Sequence, residues 1–175
     1  MPTGATGTST TNSITVNYGA SAISGNITVK GHNSFGDGAI STLAITVNPL
    51  PLSAGTISGT ATVCQGQSSV TYTVPVITNA TSYIWTLPTG ATGTSTTNSI
   101  TVNYGTSAVS GNITVKGNNS CGNGATSTKA ITVNPLPASA GTISGTTAVC
   151  QGQNSITYTV PAITKPSPRN NIHLR

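Results

Sequence analysis

PTGATGTSTTNSITVNYGASAISGNITVKGHNS, residues 2–34, returns at residues 88–120 as PTGATGTSTTNSITVNYGTSAVSGNITVKGNNS. The copies differ only at Ala20/Thr106, Ile23/Val109 and His32/Asn118, and they stand 86 residues apart, from Pro2 to Pro88. Inside the stretch the alternation is that of strands. In SITVNYG, Ile100, Val102 and Tyr104 fall on one face and Thr101 and Asn103 on the other; in GNITVKG, Ile113 and Val115 share a face. A period of two over runs this short is the mark of a strand with one buried side.

Outward from this stretch, the same offset of 86 links SAGTISGTATVCQGQSSVTYTVPVIT at 53–78 to SAGTISGTTAVCQGQNSITYTVPAIT at 139–164. A fixed long period marks an array whose repeated unit is the domain. An enzyme seldom carries a near-identical second copy of itself, whereas a stalk, fibre or adhesin is built that way. Val70, Tyr72 and Val74 alternate in VTYTVP, as do Ile131 and Val133 in AITVNP, and no window keeps a helical period. Gly122-Asn123-Gly124 and Gly36-Asp37-Gly38 have the composition of tight hairpin turns. The Asn-Pro-Leu-Pro segments at 48–51 and 134–137 cannot continue a ladder, because proline lacks the donor, and they suit short stiff linkers.

The expected organisation is an all-β, antiparallel array. Residues 1–50 form the C-terminal part of one unit, 51–137 a complete unit, 138–164 the N-terminal part of a following unit, and 165–175 a basic tail unrelated to the repeat. The two partial units together span about one unit. Their open sheet edges favour pairing of residues 1–48 with 139–163 as one imperfect sandwich, within a chain or head-to-tail between chains.

Charged residues make up only 4% of the chain, against about 25% in an ordinary domain. Thr, Ser, Asn and Gly fill the polar positions, which suits an extracellular β-protein. The net charge of +5 owes much to Lys165, Arg169 and Arg175 in the tail, leaving only Lys30, Lys116 and Lys129 in the repeats. With no basic face interleaved with aromatics, nucleic acid is not an expected partner. No stretch approaches the roughly 20 apolar residues of a membrane span. Met1 runs directly into repeat sequence, without the n- and h-regions of a signal peptide, so the chain is expected to be an excerpt of a longer secreted protein.

Cys64, Trp85 and Cys121 follow one another through the complete unit in the order of a two-sheet, immunoglobulin-like sandwich. Here Tyr83-Ile84-Trp85-Thr86-Leu87-Pro88-Thr89-Gly90 occupies the place of the Tyr-x-Trp-x-Phe-Gly-Asp-Gly signature of PKD domains. Together with CQGQSSVTYTVPVITNATSYIWTLPTGAT, NSITVNYG and GNITVKGNNSCGNG, it resembles the PKD-like repeats of very large Bacteroidetes surface proteins. The resemblance covers about residues 1–164. It implies an extracellular tandem array, exported by the type IX system, with roles in adhesion, gliding or a surface layer. The acid of Gly-Asp-Gly is missing, so no calcium role is expected of that loop. Trp85 is expected in the core between the two sheets, near Tyr72, Tyr104 and Val115. Cys64 and Cys121 would close a loop of 58 residues, which stabilises a small domain by about 4 kcal/mol in the chain-entropy model. Two readings stand side by side, a disulfide formed in an oxidising exterior and a reduced pair, the first favoured by export. Cys150, the repeat equivalent of Cys64, is expected to be unpaired.

Enzyme chemistry finds little material. Asp37 is the one carboxylate side chain, set in a hairpin turn whose counterpart is Asn123, and glycosidases need two. His32 is Asn118 in the other copy and His173 lies in the tail, so neither belongs to a repeated constellation. Three scattered cysteines and one acid offer no metal cluster. Leu87-Pro88-Thr89-Gly90 lacks the spacer residue of a sortase signal and fits a turn at a strand end. No catalytic residue, cofactor or metal is expected. The expected function is a non-catalytic structural or adhesive segment of a bacterial surface protein or filament, with neighbouring repeats or copies of itself as partners. The alternative is a carbohydrate-binding module that takes surface glycans. A third reading, ice binding through Thr71 and Thr73, lacks a regular flat array.

Overall fold

Every regular element in the computed structural model of the protein, which describes residues 1–163, is a β-strand. The first part carries β1 (Ala5–Thr6), β2 (Asn17–Tyr18), β3 (Gly25–Val29), β4 (His32–Asn33), β5 (Gly36–Asp37) and β6 (Ser41–Ile45). These form three separate antiparallel pairs, β1–β2, β3–β6 and β4–β5. The middle part carries β7 (Thr62–Cys64), β8 (Val70–Thr73), β9 (Ser82–Thr86), β10 (Ala91–Thr92), β11 (Ser99–Tyr104), β12 (Gly111–Asn119), β13 (Gly122–Asn123) and β14 (Ser127–Asn134).

In the middle part the strands make two sheets. One is β10-β11-β8; in the other β12 is flanked by β9 and by β14, β7 runs parallel beside β14, and β13 folds back on the end of β12. The strand alternation explains the packing. Val70 and Tyr72 on β8, with Ile100, Val102 and Tyr104 on β11, turn inward from one sheet. Val63, Ile113, Val115, Ile131 and Val133 meet them from the other, and all ten side chains are buried. The intervening Thr71, Thr73, Thr101 and Asn103 face solvent. The result is an antiparallel sandwich in which Thr, Asn and Ser supply the outer face that charged residues usually provide.

At its centre the Tyr72 and Tyr104 hydroxyls lie 2.8 Å apart in a buried hydrogen bond. Burial first, then this bond, pushes the Tyr104 phenol well above its ordinary value. The neutral phenol is therefore the form that the fold favours. This contribution is complete below the unfolded tyrosine value near 10 and is lost as pH rises through it toward the raised one. Tyr72→Phe or Tyr104→Phe alone strands a buried hydroxyl and should cost about 1–3 kcal/mol, while the double variant stays close to wild type. Circular dichroism across an alkaline titration checks both points, because the double variant loses this part of the alkaline sensitivity.

The same sequence behaves differently in the first part. β3 and β6 pair in the register of β12 and β14, with Asn26↔Ala44 matching Asn112↔Ala130. Yet Val29 is 65% exposed where Val115 is 0%, and Tyr18 is 42% exposed where Tyr104 is 2%. β2 spans Asn17–Tyr18, whereas its counterpart β11 runs from Ser99 to Tyr104, because Ser99–Val102 pair with β8 and residues 13–16 have no such neighbour among the described residues. In the last part, Ser144 bridges Thr159 as Ser58 bridges Thr73.

The expected sandwich between residues 1–48 and 139–163 of one chain is not formed: among the described residues each part pairs only with itself. The reason is geometric. Residue 52 enters beside Thr78 and Ala54 beside Ala125, near the β12–β13 turn, while Leu136 leaves beside Gln65 at the far end of β14. At about 3.3 Å per residue the two joints are on the order of 30 Å apart. The proposed basic tail, with His173, lies outside the described residues.

Candidate functional site: the joints between units

In a tandem array the joints set the geometry of the whole, and the two linkers are held by side-chain amides. Pro135 and Pro137 have no N–H, so Leu136 is the donor between them; it donates to Gln65 Oε1 at 3.2 Å. The Gln65 Nε2 donates to the Ala108 carbonyl at 3.0 Å, and its backbone N–H to the Asn134 carbonyl at 2.9 Å. Gln67 braces the same turn: its Oε1 accepts from the Cys64 N–H at 3.0 Å and its carbonyl from the Tyr104 N–H at 2.8 Å. The Cys-Gln-Gly-Gln run at 64–67 is thus a socket for the outgoing linker.

Asn119 holds the incoming linker. Its Nδ2 donates to the carbonyls of Pro49 and Asn79, each at 2.9 Å, and its Oδ1 accepts from the Cys121 N–H at 2.9 Å. A cleft of about 580 Å³ opens here, lined by Tyr18, Val47, Asn48, Leu50 and Cys121 among others. Both joints therefore combine a proline-stiffened linker with a clamp of fixed hydrogen bonds, a design for orienting one unit on the next. The repeat, the two-sheet topology and the joints now stand together. The family profile of the PKD-like domain matches residues 50–133 and 136–167, more than half of the chain. The chain belongs to the PKD-like domain family. No curated protein matches it.

PKD-like domains are generally non-enzymatic modules, and the residues once singled out for chemistry fit that setting. Lys30 and His32 both contact Asp37, the latter through Nδ1 at 2.8 Å. Lys30 foremost, then His32, lowers the Asp37 carboxyl below its ordinary value. The contact between His32 and Asp37 was not foreseen from the sequence, though two of the differences between copies hint at it. The counterparts Asn118 and Asn123 bond to each other in the same place, at 2.8 Å. The pair latches a hairpin on the surface. In the PKD-like unit Leu87-Pro88-Thr89-Gly90 is a turn, closed by the Ala91 N–H on the Pro88 carbonyl, that leads into β10. Among the described residues no cluster of three His, Cys, Asp or Glu could hold a metal. Among the described residues no helix is long and apolar enough to cross a membrane.

Two expectations need correction. Cys64, Cys121 and Cys150 are free, exposed thiols, and no bridge joins Cys64 to Cys121. Cys64 sits opposite Asn134 at the outgoing end, whereas Cys121 lies in the β12–β13 turn at the incoming end. The two are on the order of 30 Å apart by strand rise, far beyond disulfide reach. A thiol titration of the native chain is expected to count three thiols, and reductant should leave its melting temperature unchanged. Trp85 is the second case. It pairs with Val115 across β9 and β12 and packs on the core, but it is only partly buried. β9 is an edge strand, and beside Trp85 lie Gly93, Thr94 and Ser95 of the segment after β10. The indole N–H donates to the Thr97 carbonyl at 2.9 Å. Tyr72 and Tyr104, with Val115, hold the centre assigned to it.

Proposed function

We propose that the protein is a non-catalytic structural segment of an extracellular bacterial surface protein or filament, in which PKD-like units are strung at a fixed angle. The repetition of the linker, with a side-chain clamp on each copy, carries this reading. The Asn-Pro-Leu-Pro linker occurs twice at the same offset; Asn119 holds the copy at 48–51 and Gln65 the copy at 134–137. The near absence of charge and the resemblance to Bacteroidetes surface repeats support an exterior setting. Antibody labelling of intact, unpermeabilised cells is the test. Labelling at the surface is expected, and signal only after permeabilisation overturns the reading.

One observation favours a second reading, a carbohydrate-binding module. Tyr83, Ile84 and Trp85 line a notch of about 230 Å³ against Gly93, Thr94 and Ser95, and Trp85 keeps part of its ring in solvent. A glycan array separates the two. Binding that free sugar competes away, and that Trp85→Ala abolishes, would establish the module; no binding leaves the structural role.

A further inference from the structure

Asn123-Gly124 is the only Asn-Gly pair in the chain, and it closes the β12–β13 hairpin. A glycine has no Cβ to shield its own backbone nitrogen, and it has the widest choice of backbone angles. Its nitrogen therefore reaches the side-chain carbon of the asparagine before it more readily than that of any other residue. Here the amide is presented to solvent. Asn123 is exposed, its Oδ1 accepts from Asn118 Nδ2 at 2.8 Å, and its own Nδ2 has no partner among the described residues. The Gly124 N–H donates to the Gly117 carbonyl at 2.9 Å, so attack waits for the end of the hairpin to open. β13 has only two residues, and a short exposed pair opens far more often than the core. Glycine is nonetheless required here. A Cβ at residue 124 would sit 2.6 Å from the Pro51 carbonyl oxygen and 2.7 Å from that of Leu52, where the hairpin meets the incoming linker. The first copy carries Asp37 before Gly38 instead, with Lys30 and His32 on its carboxylate.

We propose that Asn123 is a self-modification site, at which the side-chain amide is lost as ammonia and the incoming joint changes with it. The Gly124 nitrogen gives up its proton and bonds to Asn123 Cγ. The bond from Cγ to Nδ2 breaks, and ammonia carries that proton away. The cyclic imide left behind takes up one water. Opening at the side-chain carbonyl gives aspartate. Opening at the backbone carbonyl gives isoaspartate, in which the backbone runs through the side chain and is longer by one methylene. The two products act differently on the joint. Aspartate reproduces the first copy, with Lys116 at the position equivalent to Lys30. Isoaspartate displaces Gly124 at a point where the Pro51 and Leu52 carbonyls leave no room, and so loosens the incoming linker. The inference goes beyond the function proposed above and does not rest on it.

Incubation of the native full chain at mildly alkaline pH, read by isoelectric focusing and by mass mapping of its peptides, is the test. A form should appear in which the net charge of +5 is lowered by one. The new acid should lie at residue 123 before any other asparagine converts, as aspartate and isoaspartate together, and it should form faster as pH rises. Asn123→Gln, whose longer side chain disfavours ring closure, should hold the original form. Conversion of other asparagines while Asn123 stays intact overturns the proposal, as does an acidic form that persists in Asn123→Gln. Limited proteolysis reads the joint. Chymotryptic cleavage after Leu52 should rise with the isoaspartate fraction and stay at the wild-type level in fresh Asn123→Asp. Cleavage unchanged in chain rich in isoaspartate, or raised equally in Asn123→Asp, overturns the link to the joint.

Discussion

Tyr104→Ala should unfold the middle sandwich or lower its melting temperature by tens of degrees, while Tyr18→Ala, the same change in the same local sequence, should leave it unmoved. Tyr104 is 2% exposed, and its hydroxyl bonds Tyr72 at the centre of the core. Removing a large buried aromatic costs about 3–5 kcal/mol, since the cavity left behind collapses only in part. The stranded Tyr72 hydroxyl adds about 1–3 kcal/mol. The sum approaches the whole stability of a small domain, about 5–15 kcal/mol. Each 1 kcal/mol moves the midpoint of a domain this size by about 4–8 °C. Tyr18 stands 42% exposed in the first part, outside that core. Thermal denaturation of the two variants, followed by tyrosine and tryptophan fluorescence at low concentration, checks the contrast. Similar losses in both would show that the first part shares the cooperative core.

Gly59→Ala is the second large effect. Gly59 has φ +130°, a region that side chains rarely adopt, and a Cβ there would sit 2.5 Å from Tyr72 Cδ1 and 2.8 Å from the Thr71 carbonyl oxygen. Neither neighbour can yield, because the Tyr72 ring is fully buried and Thr71 is held in β8. Backbone strain of this kind costs about 1–3 kcal/mol, and forcing atoms into a filled core about 1–3 kcal/mol more. Gly31→Ala, with nothing within 4 Å, is the matched control and should be neutral. Urea denaturation reads the difference as a shift in midpoint. A Gly59→Ala variant as stable as wild type would mean that the segment before β7 does not pack over Tyr72 as described.

The reactive groups divide by place. Cys64 and Cys121 mark opposite joints of one unit, so the sandwich must stand on packing and hydrogen bonds without a covalent brace. That raises the weight carried by the Tyr72–Tyr104 pair and by the amide clamps. Gln65 and Asn119 both satisfy backbone groups that the prolines leave without a ladder partner.

Much of the fold was legible in the residues because strand alternation depends only on backbone geometry. Ile100, Val102 and Tyr104 point inward, Thr101 and Asn103 outward, as their period of two requires. The array was legible from the 86-residue offset, and the linkers from proline's missing donor. What the sequence could not decide was who covers whom. Val29 and Val115 sit in identical GNITVKG contexts, yet one is open and the other buried, because burial belongs to the opposing sheet and not to the strand itself. The order of Cys64, Trp85 and Cys121 along the chain carried no information about which end of a strand each occupies or which strand lies at an edge. Only the parallel docking of β7 on β14 sends Cys64 to the outgoing joint, and only the place of β9 at the sheet edge leaves Trp85 partly exposed. Local geometry follows from neighbours in the chain, whereas burial and thiol pairing follow from neighbours in space, and those are set by the tertiary fold.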